Sequence, residues 1–314
     1  MTALGIIFKI CETTIERNRD VERIKALLHT AVIIAIYFLA DAFSIEALSF
    51  VFVESGSFLL GEIVSICLGI SSIIFAVYLY SRFVLKKTFS EIYLGRPLPS
   101  VRWSVIAFLM PITIVMFYIV FTKGAFYREN LIGEDIAYAV CDTIAGAGLS
   151  AGITQEIIFR GMALSTLQKA WGAKAAVFIS SVLFITPHLR NIDTEVSGNV
   201  FRLSLALMIA GMALSLVVYE SGSIWSSVVI HAVYNILSGD TLIFHMDTER
   251  EISAIWNYTF DSDQVLITGI QGADELETGL PAMVGFLAII FLAVYFIKKR
   301  GTGIRYAAVP GQEP

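Results

Sequence analysis

The feature that most constrains this chain is a series of long apolar segments that recur along its length. Eight can be drawn, at residues 28–45, 63–85, 103–122, 136 to beyond 158, 173–187, 203–219, 224–237 and 280–297. A helix needs about 20 apolar residues to cross a hydrocarbon core about 30 Å thick, and it satisfies its own backbone hydrogen bonds in lipid. We therefore predict an all-α, polytopic membrane protein with about eight transmembrane helices.

The overall composition agrees with a membrane protein. Hydrophobic residues make up 56% of the chain and charged residues 16%, whereas soluble domains average about 45–50% and about 25%. The net charge of −5 offers no basic surface for a polyanion. We expect the lipid bilayer as a partner and no nucleic acid.

The distribution of Lys and Arg predicts the orientation. If the N-terminus is cytoplasmic, seventeen of the 22 Lys and Arg residues fall on the cytoplasmic side of the eight helices. Cytoplasmic loops normally carry such an excess of basic residues. The bias therefore favours an even number of helices with both the N- and C-termini in the cytoplasm.

This topology divides the chain into four parts. Residues 1–135 form three transmembrane helices after a cytoplasmic N-terminus, and residues 136–238 form a core that carries the polar motifs. Residues 239–279 form an acidic extracytoplasmic loop, and residues 280–314 form the last transmembrane helix and a cytoplasmic tail. We interpret the acidic loop as solvated, with a lid or a substrate-docking loop as the alternative.

Ionisable side chains are costly inside a membrane, so those within the apolar segments mark a candidate site. Three groups of polar residues occur in the second half of the chain. The groups are Gln155, Glu156 and Arg160, then His188 in the sequence Phe-Ile-Thr-Pro-His, then His231 and Asn235. The remaining histidines, His29 and His245, are interpreted as surface residues.

Helix geometry allows the three groups to meet. A turn between Trp171 and Gly172 would place Gln155 and His188 at the same depth in an antiparallel hairpin. A second hairpin is expected near Ser221. Pro187, directly before His188, is expected to bend or end its helix.

Spacing within each helix predicts which side chains share a face. Glu156 and Arg160 are four residues apart and can pair, as can His231 and Asn235. Gln155 points about 100° away from Glu156 around the helix. We therefore predict a structural Glu156–Arg160 pair and a Gln155 side chain that faces a cavity.

This ordered set resembles the motifs Glu-Glu-x-x-x-Arg-Gly, Phe-x-x-x-His and Gly-Ser-x-Trp with His-x-x-x-Asn of the CPBP intramembrane proteases. That family contains the CAAX prenyl endopeptidases and bacteriocin-processing proteins. The resemblance covers roughly residues 145–238. It implies a helical bundle with a polar cavity that cleaves peptide or protein substrates in or at the membrane.

The resemblance also implies roles for individual residues. His188 would activate a water together with the first glutamate of the family motif, and His231 and Asn235 would stabilise the oxyanion. Glu156 and Arg160 would hold the motif helix in place. Two histidines and a carboxylate could bind zinc, but the chain has no His-Glu-x-x-His helix. We therefore expect a metal-independent mechanism and no cofactor.

Position 155 departs from the family pattern, because Gln155 stands where the family has its catalytic glutamate. An amide cannot accept the proton of a water as a base. Glu156 could turn inward and substitute, the chain could be a catalytically silent relative, or the glutamine could be an engineered replacement.

These observations leave three functional hypotheses. The first is an intramembrane endopeptidase that uses a water activated by a histidine and a carboxylate. The second is a silent family member that acts as a binding, immunity or scaffold protein, and the third is an unrelated transporter. In each case we expect a multi-pass protein of the cell membrane, and the short loops are compatible with a prokaryotic plasma membrane.

Overall fold

The structure, a computed structural model, describes residues 3–190, 199–248, 254–262, 264–269 and 276–301. Within these ranges, six helical segments are long and apolar enough to cross a membrane. They are Asn18–Ser55, Phe58–Val84, Val101–Phe121, Glu134–Phe184, Val200–Ser221 and Leu280–Lys299. The chain is therefore an all-α, polytopic membrane protein, as predicted.

All eight predicted apolar segments are helical. The helices are α1 (Ala3–Ser55), α2 (Phe58–Leu79), α3 (Val101–Phe121), α4 (Glu134–Cys141), α5 (Ala151–Gln155), α6 (Leu164–Phe184), α7 (Asn199–Ser221), α8 (Ile224–Leu237), α9 (Val265–Thr268) and α10 (Leu280–Lys299). The segment Glu134–Phe184 holds two of the predicted segments, and α8 is a shorter apolar helix. The number of crossings and the side of each terminus remain predictions, and residues 302–314 of the predicted tail lie outside the described ranges.

Large apolar side chains cover the outside of the bundle. Phe43, Phe75, Phe108 and Phe291 are each more than half exposed. A soluble protein rarely leaves so many large aromatic and aliphatic groups in water. Lipid tails would cover them at no cost, so the exposed surface agrees with the membrane assignment.

Two glycines make the predicted hairpin turns. Gly172 has φ of 77° and interrupts α6, so the chain reverses at the position expected from the sequence. Gly222, with φ of 74°, separates α7 from α8 and confirms the second predicted turn. Glycine adopts this left-handed conformation without a steric penalty and commonly ends helices.

A small sheet, which the sequence analysis did not predict, joins two loops at one end of the bundle. Strands β1 (Lys123–Arg128), β2 (Phe244–Asp247) and β3 (Trp256–Asp261) pair in the order β1-β3-β2. The β1–β3 pair is antiparallel and the β2–β3 pair is parallel. We call this end of the bundle the sheet end. The described part of the predicted acidic loop therefore contains strands, and its residues 249–253, 263 and 270–275 lie outside the described ranges.

The interpretation of His245 as a surface residue is wrong. Its side chain is buried in β2, where Nδ1 lies 3.3 Å from Asp240 and Nε2 lies 3.8 Å from Asp247. Burial alone would lower the pKa of His245, but the two carboxylates outweigh burial and raise it to about 9. The imidazolium therefore links two acidic residues of the sheet end.

The opposite end of the bundle carries Lys86, Lys87, Lys298 and Lys299, and we call it the lysine-rich end. A buried carboxylate holds its helices together. Glu220 at the end of α7 accepts hydrogen bonds from Arg102 at 2.5 Å and from Trp103 at 2.6 Å, both on α3. Arg300, after α10, contributes an ion pair at 2.9 Å and donates to the Glu220 carbonyl at 2.6 Å. Glu220 thus ties three helices together.

Candidate active site

The first polar motif lies on a helical run with two irregular parts. The π-helical segments Asp142–Ser150 and Glu156–Ala163 join α4, α5 and α6. Such wide turns occur frequently at functional sites because they displace side chains and backbone carbonyls from regular positions. Every residue of Glu156–Ala163 is buried. The first motif therefore begins at the junction between α5 and the second irregular segment.

Small residues let this run approach α8 closely. A Cβ atom added to Gly152 would lie 3.1–3.3 Å from atoms of Ala232, and one added to Gly148 would lie 2.5 Å from the Ile236 side chain. Side chains larger than hydrogen would push the two helices apart. The close approach places the first motif beside the histidine and asparagine of α8.

Glu156 is the centre of the buried charge network. Its Oε1 atom lies 2.9 Å from Nη1 of Arg160 and 3.0 Å from Nδ1 of His231. Glu156 and Arg160 are both fully buried. The predicted Glu156–Arg160 pair is therefore present, and the carboxylate also holds a histidine that the sequence analysis had not connected to it.

Phe184 packs against the arginine and both histidines of the candidate site. The Arg160 guanidinium lies 4.0 Å from the centre of its ring, and the His231 ring lies 5.7 Å away, edge-on. The His188 ring lies 5.1 Å away in a similar edge-on geometry. In the sequence this phenylalanine stands out only as part of a motif. In the structure it is the apolar contact shared by both histidines and the arginine.

His188 lies just beyond the end of α6. The helix ends at Phe184, a turn that contains Pro187 follows, and His188 begins a short 3₁₀ helix that ends at Arg190. Its Nδ1 atom lies 3.1 Å from the Phe184 carbonyl oxygen. A carbonyl only accepts, so Nδ1 carries the proton and Nε2 keeps its lone pair. The prediction that the helix ends before His188 is confirmed.

Gln155 faces a different neighbour from Glu156. The side chain is buried, and its Nε2 atom lies 3.5 Å from the Tyr37 hydroxyl of α1. Its Oε1 atom has no hydrogen-bond partner among the described residues. Tyr37 could not be identified from the sequence, because no motif marks α1 and only tertiary packing brings the two side chains together.

Asn235 completes the group on α8. Its Nδ2 atom donates a hydrogen bond of 2.8 Å to the carbonyl of Ala147, within the first π-helical segment. An amide nitrogen carries two hydrogens, and this contact uses only one of them. His231, one helical turn earlier, is fixed by Glu156. The structure thus gives both residues of the predicted oxyanion site a defined partner, while their function remains a prediction.

The residues do not form an evident metal site. The part of the chain that the structure describes contains no group of three His, Cys, Asp or Glu side chains arranged as ligands. The carboxylate of Glu156 also faces the Arg160 guanidinium, whose charge repels a cation. The donor set therefore fits zinc poorly, and no step is assigned to a metal.

Comparison with known proteins agrees with the motifs. Residues 138–237 match the family model described as type II CAAX prenyl endopeptidase Rce1-like. No match is found among curated proteins or solved structures. The family match confirms the resemblance to the CPBP intramembrane proteases and covers all three motifs. That family implies CAAX-type intramembrane protease activity.

Proposed function

We propose that this relative of the CAAX prenyl endopeptidases is an intramembrane endopeptidase acting on membrane-associated or lipidated peptides. The proposal rests on the hydrogen bonds that the two histidines make through Nδ1. Nδ1 is engaged in both, by a buried carboxylate in His231 and by a backbone carbonyl in His188. A fixed Nδ1 sets the tautomer and leaves Nε2 for chemistry.

His188 is the proposed general base. Its Nε2 lone pair takes a proton from a water as the water oxygen attacks the scissile carbonyl. The unpartnered Oε1 atom of Gln155 accepts the second hydrogen of that water and orients it. His188 then returns the proton to the leaving amine. Gln155 acts as a positioning residue, because an amide cannot take the proton itself.

His231 and Asn235 are the proposed oxyanion donors. His231 stabilises the oxyanion through Nε2, and the Glu156 carboxylate at Nδ1 holds the imidazole ring in place. The free amide hydrogen of Asn235 gives a second donor. Arg160 balances the buried charge of Glu156, so Glu156 and Arg160 orient His231 without contacting the water.

A catalytically silent binding, immunity or scaffold protein is the second candidate, and a specific observation favours it. Glu156 is fully buried and paired, and position 155 holds an amide. The carboxylate of the described cluster therefore binds Arg160 and His231 through Oε1 rather than His188. This candidate would bind a peptide at the polar cluster without cleaving it.

The setting that we propose is a cell membrane, with short loops compatible with a prokaryotic one. The substrate is a peptide or protein held in or at the bilayer, by a lipid group or by its own apolar residues. Neither a cofactor nor a nucleic acid is part of the proposal. The structure contains long apolar helices suited to a multi-pass protein.

The proposal is tested with the full chain in proteoliposomes. Quenched fluorescent peptides, with and without a prenyl group, are followed for cleavage, and products are identified by mass spectrometry. We expect His188→Ala and His231→Ala to reduce the cleavage rate at least about 100-fold, the usual contribution of acid–base or oxyanion groups. His245→Gln, which removes a buried histidine at the sheet end, should retain the rate.

The thermal unfolding of each variant shows whether a reduced cleavage rate reflects the loss of a catalytic group or the loss of the folded structure. Cleavage that survives in both His188→Ala and His231→Ala would place the active site elsewhere. A folded wild-type chain that binds peptide but releases no product would support the silent candidate.

A further inference from the structure

A polar cleft at the lysine-rich end lies outside the proposed active site. It has a volume of about 270 Å³ and opens between α1, the residues that follow α2 and the first part of α6. Three lysines line it, together with a histidine, a threonine and a single carboxylate. These residues are Lys25, Lys87, Lys169, His29, Thr166 and Glu22.

The cleft lies at the level where the apolar segments begin and end. On α1, the apolar run starts directly after Lys25 and Ala26, and after α2 it stops before Lys87. Trp171 lies beside this level and donates a hydrogen bond to the Arg23 carbonyl at 3.3 Å. Trp and basic residues concentrate at membrane interfaces. The cleft is therefore at the depth of lipid headgroups.

The positive charges of the cleft are not balanced within it. The carboxylate of Glu22 is already paired with Lys25 at 2.7 Å. Lys169 has no hydrogen-bond or ion-pair partner among the described residues, and Lys87 donates only to the carbonyl and hydroxyl of Ser165, at 3.1 and 3.3 Å. Burial and, to a smaller extent, Lys169 lower the pKa of Lys87 to about 8. An anion between the two lysines would relieve their repulsion.

The Thr166 hydroxyl supplies an independent observation. Thr166 is only 7% exposed, and its Oγ1 atom has no hydrogen-bond partner among the described residues. Buried hydroxyls are nearly always hydrogen-bonded, so an unpartnered one in a polar cleft marks a missing ligand. A hydroxyl hydrogen and two ammonium groups together form a donor set for a phosphate oxygen.

We propose that this cleft binds the phosphate group of an anionic phospholipid from the adjacent leaflet. The donor set accounts for the phosphate, and the depth of the cleft accounts for a lipid as its source. Basic pockets between transmembrane helices bind anionic headgroups through the same chemistry. Such a lipid would contact α1, the residues after α2 and α6 at once, near the helical run that carries Gln155 and Glu156.

The test measures lipid binding to the purified full chain by native mass spectrometry, after delipidation in detergent. Phosphatidylglycerol and phosphatidylcholine are titrated separately. We expect Lys169→Gln to weaken phosphatidylglycerol binding about fivefold and to leave phosphatidylcholine unchanged. Thr166→Val, which keeps the side-chain shape, should weaken it about threefold. Lys174→Gln, which removes an exposed lysine of α6 outside the cleft, should have no effect.

Specific outcomes would overturn the proposal. Equal weakening by Lys169→Gln and Lys174→Gln would indicate general attraction to a basic surface. Equal affinity for the two lipids would remove the role of headgroup charge. A third arm uses inorganic phosphate, and if millimolar phosphate raises the Tm while phosphatidylglycerol does not bind, the cleft is a site for a free anion. Lipid binding is measured without peptide cleavage, so its result is independent of the proposed function.

Discussion

At the scale of single residues, the Glu156 carboxylate has two partners whose loss has different consequences. Arg160 compensates its charge inside the bundle, and His231 depends on it for orientation. A buried ion pair is weak evidence for stability, whereas removal of one partner leaves an uncompensated charge. The effect of Glu156 on protein stability can therefore be separated from its effect on the orientation of His231 by choosing which partner to replace.

We expect Glu156→Gln to destabilise the protein by about 3–5 kcal/mol, because Arg160 is left buried without a counter-charge. The double variant Glu156→Leu/Arg160→Met should recover most of that stability with an apolar pair of similar volume. It should still lack activity, since His231 has lost its hydrogen-bond acceptor. Thermal unfolding and peptide cleavage on the same samples check both statements. Full activity in the double variant would show that Glu156 does not orient His231.

The pKa of His245 gives a pH prediction for the sheet end. The pKa is raised to about 9 in the folded protein from an ordinary value of 6.5. The stabilising contribution is therefore fully present below pH 6.5, and it is lost as the pH rises through about 9. The Tm of the wild type should fall more between pH 6 and pH 10 than that of His245→Gln. Parallel Tm curves for the two proteins would contradict the ionic link to Asp240 and Asp247.

The motif residues were easier to predict from the sequence than the residues that contact them in the structure. Gln155, Glu156, Arg160, His188, His231 and Asn235 stand out because polar groups are rare in apolar segments. The pairing of Glu156 with Arg160 followed from their spacing. Tyr37 carries no such signal, since tyrosine is common near membranes, and its contact with Gln155 depends on how α1 packs. The bond between Glu156 and His231 likewise joins residues 75 positions apart.

At the scale of elements, the lysine-rich end depends on one side chain that belongs to three helices. Glu220 of α7 is bound by Arg102 and Trp103 of α3 and by Arg300 after α10. The two arginines are partly exposed, which reduces the energy of each ion pair. The fully buried Glu220 carboxylate nevertheless depends on these side chains for its hydrogen bonds and ion pairs.

We expect Glu220→Gln to destabilise the bundle by about 2 kcal/mol, because an amide keeps one acceptor for Trp103 but loses the charge that binds both arginines. The measurement is the Tm of the detergent-solubilised protein. Glu91→Gln is the matched control, since Glu91 is bonded only locally to Thr88. A Tm loss no larger for Glu220→Gln than for Glu91→Gln would show that the three helices are held by apolar packing alone.

The helices were more predictable than the sheet for a physical reason. Each helix follows from a continuous apolar segment, and the turns at Gly172 and Gly222 follow from where such segments are interrupted. The strands need partners far away in sequence, because β1 pairs with β3 across more than 120 residues. Acidic residues within 238–279 suggested a solvated loop, and that pattern concealed the alternating buried residues Tyr258 and Phe260.

At the scale of the whole molecule, the bundle encloses a group of polar side chains that departs from the motifs it resembles at one position. The helical run with two π-helical segments, the close packing on α8 and the end of α6 at Phe184 bring all three motifs together. Position 155 is the exception, since its side chain is an amide. We propose that the other residues of the site perform hydrolysis around that amide.

The most direct measurement compares single-turnover cleavage by the wild type and by Gln155→Glu in the same proteoliposomes. A carboxylate at position 155 supplies the base that the family motif has there, so we expect the rate to rise at least about 100-fold. Gln168→Glu, a buried change on the same helical run that keeps the acceptor for Tyr93, should not raise it. No product from either the wild type or a folded Gln155→Glu variant would contradict the account, as would a wild-type rate that Gln155→Glu fails to increase.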